Sequence, residues 1–210
     1  MSTMQVCVSV VDDDALVLKS LGRLFQSIGY SVQTFSSGQD FLARYTGGAP
    51  GCIVVDLSMP GLNGLELQRA LTAKADTRPV VFISGQGSVP ASVEAMKAGA
   101  VDFLTKPVDD SKLIGAVNAA IERNRVAREA HAERSGVEAR LATLTPRERE
   151  VLERVVEGKL NKQIAAELGT TEKTVKVHRG RVMEKMEASS VAALVRDVER
   201  LRADGGAKPF

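Results

Sequence analysis

The stretch Gly51–Gly64, GCIVVDLSMPGLNG, decides the fold. It runs from Cys52 to Val55 without a polar residue, stops at Asp56, and then breaks into turn formers at Ser58, Pro60, Gly61, Asn63 and Gly64. A short apolar run rich in β-branched residues and closed by turn signals reads as a buried strand. In an open α/β sheet, a carboxylate at the carboxyl end of such a strand faces the crevice where ligands bind. Asp56 is therefore the first candidate for chemistry, although an acid at a strand end also serves as an ordinary turn or helix cap.

Outward from this stretch the pattern repeats. Val6–Val11 is an apolar strand that ends in Asp12, Asp13 and Asp14, and Val17, Leu21, Leu24, Phe25 and Ile28 then follow helical spacing up to Gly29. Ser31–Phe35 reads as a strand and Gln39–Tyr45 as a helix; after the Asp56 strand come a helix at Leu65–Ala73 and a strand at Val80–Ser84. A helix over Val89–Ala98, a strand over Val101–Leu104 and a helix carrying Leu113, Val117 and Ile121 complete the series. Five strand–helix alternations with fully apolar strands predict a parallel sheet covered on both faces. With right-handed crossovers, a flavodoxin-like strand order is the economical solution.

That order puts Asp12, Asp13, Asp56, Ser84 and Lys106 along one edge of the sheet. Three carboxylates so close repel one another and require a hard cation, of which Mg²⁺ is the usual choice beside phosphate. A free carboxylate, a hydroxyl and an ammonium suit phosphoryl transfer to an aspartate, with Asp56 attacking in line.

The chain has 210 residues, room for one large domain or two small ones, and 44% of them are hydrophobic. It holds no apolar run of the length a membrane span needs. Its first residues, MSTMQ, lack the basic and apolar regions of a signal peptide. Together with Cys7 and Cys52 in apolar runs, these features predict a cytoplasmic protein with reduced thiols. Charge is uneven: net −1 up to Arg125 and net +3 beyond it, with seven basic and three acidic residues between Gly158 and Met186. Such a patch is the footprint of a nucleic-acid surface, or simply of solvated helices.

Residues 122–143 are rich in Ala, Arg and Glu, all good helix formers, and extend the fifth helix into a solvated helical connector with Ser135–Gly136 as its break. The expected organisation is thus a domain over residues 1–125, a linker over 126–143 and a second domain over 144–205. The second domain reads as four helices. Thr145, Pro146 and Glu148 start the first, whose inner face is Val151, Leu152 and Val155. Asn161–Leu168 is the second and ends at Gly169; Glu172–Glu187 is the third, with Val175, Val182 and Met186 inward; the fourth follows Ser189–Ser190. Helix, tight Gly-containing turn and helix form a helix-turn-helix, whose second helix enters the major groove. That helix carries Lys173, Lys176, Arg179, Arg181 and Lys185. Gly180 within it either allows close approach to DNA or contributes no contact.

VDDD after the first strand, DLSMPGLNG, SGQG, AMKAGAVDFLTKP and the Lys106–Pro107 pair resemble the receiver domain of two-component response regulators. LTPREREVLERVVEGKLNKQIAAELGTTEKTVKVHRGRVMEKM resembles the LuxR-type DNA-binding domain. Together they resemble response regulators of the FixJ/NarL class. The resemblance implies that Asp56 is the phosphoacceptor. Asp13 would bind Mg²⁺ (or Mn²⁺) directly, Asp12 through water, and the Ser58 backbone carbonyl would add a ligand. Ser84, where Thr is commoner, would be the switch hydroxyl, Lys106 would pair with the phosphoryl group, and Phe103 would be the rotating aromatic. Asp14 would cap the first helix, Ser58 and Gln86 would flank the phosphoryl group, and Lys106–Pro107 would be cis. In the second domain Lys176 and Val177 would meet base edges, while Asn161, Lys162, Thr171, Thr174, Arg179 and Lys185 would hold or flank phosphates. His178 would pack against the scaffold.

The implied function is a phosphorylation-controlled transcription regulator, not a conventional enzyme. Its partners would be a sensor histidine kinase, double-stranded promoter DNA, RNA polymerase and a second copy of itself. A regulator that works without phosphorylation leaves the complete pocket unexplained. A Mg²⁺-dependent aspartyl phosphotransferase leaves the helix-turn-helix unexplained, and a flavin binder conflicts with the acidic strand ends.

Overall fold

The computed structural model describes residues 6–44, 50–85 and 89–205, and the chain divides into two compact units, Met1–Arg128 and Glu129–Phe210. In the first unit β1 (Cys7–Val11), α1 (Ala15–Ser27), β2 (Ser31–Phe35), α2 (Gly38–Ala43), β3 (Gly51–Asp56), α3 (Gly64–Ala73), β4 (Val80–Ser84), α4 (Val89–Lys97) and β5 (Asp102–Thr105) alternate, followed by α5 (Asp110–Ala142). The five strands are parallel in the order β2-β1-β3-β4-β5. The register pairs Val11 with Val55, Asp56 with Ile83 and Ser84 with Thr105, so the carboxyl ends of β1, β3, β4 and β5 are level.

β3 shows why a central strand of this sheet is apolar along its length. Cys52 and Val54 point into a core with Phe25, Leu113 and Val117, while Ile53 and Val55 point into a second core with Phe41, Leu67 and Phe82. Side chains alternate across a strand, so a strand covered on both faces must be apolar at every position. Each large side chain buried this way contributes about 1.5–3 kcal/mol. Two glycines allow close approaches. Gly51 has φ +144°, and a Cβ there would lie 1.8 Å from the Cys7 carbonyl oxygen. At Gly64 a Cβ would lie 2.6 Å from the Asp56 carbonyl oxygen and 2.9 Å from the Phe82 ring. Buried Asn124 ties α5 to the opposite, amino-terminal edge of the sheet, accepting from Gly51 N at 3.1 Å and donating to the Thr77 carbonyl at 3.3 Å.

The second unit consists of the end of α5, then α6 (Pro146–Val156), α7 (Asn161–Glu167), α8 (Glu172–Lys185) and α9 (Val191–Gly205). Thr145 and Glu148 form the capping box at the start of α6. Val151, Leu152, Val155, Ile164, Val175, Val182 and Met186 are buried together, as the helical spacing predicts. Among the described residues no helix is long and apolar enough to cross a membrane.

The connector differs from its sequence reading. No break occurs at Ser135–Gly136: α5 runs through both, and Val137 and Leu141 are buried in the second unit's core. A helical glycine costs about 0.5–1 kcal/mol relative to Ala. Two buried aliphatic side chains one turn apart outweigh that cost. β5 begins one residue later than its apolar run suggests, at Asp102. Ile28 follows the end of α1 and is 43% exposed, whereas Leu21 and Phe25 of the expected face are buried. The expected phosphoryl neighbour Gln86 and the carboxyl-terminal tail from Gly206, for which fraying was the expectation, lie outside the described residues.

Candidate functional site

The level strand ends bring five of the expected residues to one edge. Asp12, directly after β1, is fully buried; its Oδ1 accepts from the Asp14 backbone N at 2.8 Å and its Oδ2 from Lys106 Nζ at 2.7 Å. Asp56, the last residue of β3, is 6% exposed; Oδ1 accepts from Ser58 N at 3.2 Å and Oδ2 from Lys106 Nζ at 2.9 Å. One ammonium thus bridges two carboxylates from different strands. Lys106 is itself held to the end of β4, because its backbone N donates to the Ser84 carbonyl at 2.7 Å. Ser84 is fully buried at that strand end. Asp13 is exposed beside the pair, and Asp12, Asp13 and Asp56 each offer a carboxylate oxygen within 4.8 Å of the others. Asp14 caps α1 through Leu16 N at 2.8 Å. The Lys106–Pro107 bond is cis.

The electrostatics follow from this crowding. Burial, with some help from the neighbouring Asp56, raises the pKa of Asp12 against the opposing bonds from Lys106 and the Asp14 N–H. Burial works against the Lys106 charge, but its bonds to Asp12 and Asp56 outweigh that and raise its pKa, so it stays cationic. Three carboxylates against one ammonium leave the edge short of positive charge. All three donors are oxygens, the set that suits a hard divalent cation. Phe103, on β5, is partly buried, its ring centroid 6.4 Å from that of Phe82.

A second set of expected residues lies on α7 and α8. The Thr171 hydroxyl accepts from Thr174 N at 3.2 Å, and the two hydroxyls are 2.9 Å apart. Asn161, opening α7, accepts from Arg179 Nη1 at 2.9 Å, which fixes the two helices of the turn to each other. Lys162 and Lys176 are exposed, and Val177 is 49% exposed. Lys173, Lys176, Val177 and Gly180 follow helical spacing along one solvent face, and a Cβ on Gly180 would meet nothing within 4 Å. His178 is partly buried, with its Nδ1 enclosed in the domain.

Lys185 is placed differently from the rest. Its Nζ donates to Glu148 Oε2 at 2.7 Å and to the Thr143 carbonyl at 3.0 Å. The Lys185 bond, then the Thr145 backbone N–H, pull the Glu148 carboxyl down to about 2. The sequence announced Glu148 as one half of a capping box, but nothing in it announced the lysine thirty-seven residues on. Leu160, which precedes α7, leaves an aliphatic side chain 69% exposed.

Comparison with known proteins agrees with both halves. Residues 8–118 match the response regulator receiver domain, and residues 142–198 match the bacterial regulatory proteins of the luxR family. Nodulation protein W of Bradyrhizobium diazoefficiens is 45% identical over 194 residues, 92% of this chain and 86% of that protein. The transcriptional regulatory protein FixJ of Azorhizobium caulinodans is 46% identical over 189 residues, 90% of each chain. The solved structure of the response regulator StyR is 43% identical, with a TM-score of 0.88 over 93% of this chain and 99% of that one. An acidic strand-end pocket bridged by a lysine, a helix-turn-helix with an exposed basic face and these matches lead to one conclusion: the chain belongs to the response regulators that join a receiver to a LuxR-type DNA-binding domain, and is a phosphorylation-controlled transcription regulator.

Proposed function

We propose that Asp56 is the phosphoacceptor of this regulator. The observation that supports it best is Lys106 Nζ held between Asp12 and Asp56 at the carboxyl ends of the parallel strands. A partner histidine kinase presents a phosphohistidine. An Asp56 carboxylate oxygen attacks phosphorus, a P–O bond forms as the P–N bond breaks, and the departing imidazole nitrogen takes up a proton. Lys106 is placed to pair with the phosphoryl oxygens as its bond to Asp56 is given up. Asp12, Asp13, Asp56 and the Ser58 carbonyl would hold Mg²⁺ or Mn²⁺, which when bound neutralises charge on the transferring group. Self-catalysed transfer and the later hydrolysis are the only chemistry assigned to the chain.

Ser84 and Phe103 carry the change outward: the hydroxyl turns toward the phosphoryl group and the ring follows it inward. The phosphoryl group thereby biases a two-state equilibrium of the receiver, which frees the DNA-binding domain or pairs two copies of the chain. Residues 1–125 and 144–205 are the functional domains, and 126–143 connects them, its last turns belonging to the second core. On promoter DNA, Lys176 and Val177 meet base edges, and Asn161, Lys162, Thr171, Thr174 and Arg179 position the backbone. Lys185 is assigned to the domain's own scaffold. The protein works in the cytoplasm, with RNA polymerase as its eventual partner.

The test is intact mass after incubation with acetyl phosphate and Mg²⁺, for wild type and Asp56→Asn, with sizing of the same samples. A single phosphoryl adduct on wild type alone is expected. An equal adduct on Asp56→Asn refutes the assignment.

A further inference from the structure

Most cations of the second unit already hold an acceptor. Arg147 is paired with Glu150, Arg154 and Lys159 with Glu167, and Lys185 with Glu148. Arg149 donates to the Leu141 carbonyl and Arg179 to the Asn161 side-chain oxygen. Arg134, Arg140, Arg200 and Arg202 each have a glutamate. Lys162, Lys173, Lys176, Arg181 and Arg196 have no such acceptor among the described residues. Of these only Arg196, on α9, lies off the helix-turn-helix. A donor held in an ion pair must give it up before it bonds an outside group, so the unpaired cations of α7 and α8 are the ones ready for a ligand.

Arg181 has a place among them that its sequence neighbours do not share. The buried Val175 and Val182 fix the inner side of α8. At about 100° per residue, Val177 lies about 160° and 140° from them, and Arg181 about 40° from Val177, one turn or about 6 Å further along. Val177 and Arg181 therefore stand on the side of α8 that faces away from the core. Lys173 lies on the same side one turn earlier, but it lacks the planar fork of an arginine. Beside Arg181, Gly180 presents bare backbone, since a Cβ there would meet nothing within 4 Å. A partner is thus able to approach α8 more closely at this turn than at any side chain. Glu184, exposed one turn beyond, forms no ion pair with Arg181 among the described residues. An acid at that point repels phosphates and base acceptors alike, so Arg181 is the last cation of the face.

We infer that Arg181 is a specificity-determining residue that reads a guanine in the major groove. Its guanidinium donates two N–H bonds to O6 and N7 of one base, next to the base pair met by Val177. The flanks of an inserted helix meet the phosphates that border the groove, whereas the side turned away from the core meets base edges. The inference rests on the reading of α8 as the helix that enters the groove, and adds a base pair to those assigned to Lys176 and Val177. It stands whether or not Asp56 is the phosphoacceptor.

The test uses the full chain, with or without acetyl phosphate and Mg²⁺, whichever binds more tightly, on a duplex that wild type selects from a random pool. Arg181→Ala, at an exposed and unpaired position, should weaken binding to that duplex about 5–150-fold and to random DNA far less. Replacing one guanine of the site by 7-deazaguanine, which lacks the N7 acceptor, should weaken wild type and leave Arg181→Ala unaffected. Arg181→Lys should restore binding to random DNA but recover the selected site only in part, because a point charge replaces the fork. Arg196→Ala removes an equally unpaired charge from α9 and should leave the preference unchanged. Equal losses on both duplexes, full recovery of both by Arg181→Lys, or no guanine whose replacement is silent in Arg181→Ala overturns the inference and makes Arg181 a phosphate contact. If Arg181→Ala binds as wild type while Lys162→Ala and Lys176→Ala are weakened, this inference alone falls. If all three bind as wild type, the assignment of α7 and α8 to the DNA falls with it.

Discussion

Replacing Lys185 by Met should uncouple folding of the second unit from acidity in a way no surface lysine would. Glu148 is 2% exposed, and its Oε2 accepts from the Lys185 ammonium at 2.7 Å and from the Thr145 backbone N at 2.9 Å. Its carboxyl lies at about 2 against an ordinary value of 4.5, with the lysine bond as the largest cause. That difference corresponds to about 3 kcal/mol in favour of the ionised folded state. Lys185 is 34% exposed, so water takes back part of it, and about 2 kcal/mol is assigned to the lysine. For a unit of this size, that is a fall of about 8–16 °C in its melting temperature.

The pH dependence has a definite sign. A carboxyl whose folded pKa lies below its unfolded value stabilises fully above the unfolded value and loses that contribution as pH falls through the folded one. The gap between wild type and Lys185→Met should therefore be constant from pH 7 to about 5 and shrink from there toward the folded value of about 2. Hydrogen exchange of the amides in α6 and α8, followed by mass spectrometry on the full chain, reads the second unit separately from the first. At a temperature where both proteins are folded, the salt dependence of DNA affinity should be unchanged. A loss below about 0.5 kcal/mol at pH 7, a gap that keeps its size down to pH 3, or a salt slope lowered by about one would refute the reasoning and return Lys185 to the DNA phosphates.

Lys176→Ala should cost about 1–3 kcal/mol on a cognate site and far less on random DNA, whereas Lys162→Ala should weaken both alike and lower the salt slope by about one; gel-shift titrations at several salt concentrations separate the two. Gly64→Ala places a Cβ 2.6 Å from the Asp56 carbonyl oxygen, so the receiver should lose about 2 kcal/mol or more in denaturant titration and accept phosphate more slowly. Asp12→Asn should raise the receiver's melting temperature in EDTA, because a carboxyl whose pKa is raised by burial destabilises the fold at any pH above that raised value, and the gain should vanish on adding Mg²⁺. Ser9→Ala removes a fully buried hydroxyl that, among the described residues, has no neighbour better than the weakly accepting Cys7 thiol, and should be neutral or stabilising by up to about 1 kcal/mol in the same titration.

Most of the fold was legible in the sequence because its signals are local. β3 and β4 are apolar almost from end to end and stop at chemistry, and Thr145 caps its helix through Glu148, three positions away. Asp12, Asp56 and Lys106 could be placed together because each directly follows or ends a strand of one parallel sheet. What was not legible depends on contacts distant in sequence. Val137 and Leu141 are two aliphatics in a stretch of Ala, Arg and Glu, too sparse to announce a buried face. Glu148 and Lys185 each looked like residues with separate duties, a cap and a phosphate ligand, and only the packing of α6 against α8 joins them.

The end of α5 also determines where this chain can be cut. Its Leu141 carbonyl accepts from Arg149 Nη2 at 3.0 Å, and the Thr143 carbonyl just beyond the helix accepts from Lys185 Nζ. A chimera joined at Leu144, where the resemblance to DNA-binding domains begins, would strip two aliphatics, Val137 and Leu141, from a core. The recombination seam lies upstream of Val137. A transplanted output module should carry its own last two turns of α5 with it, and a receiver exchanged from another regulator should be spliced ahead of them.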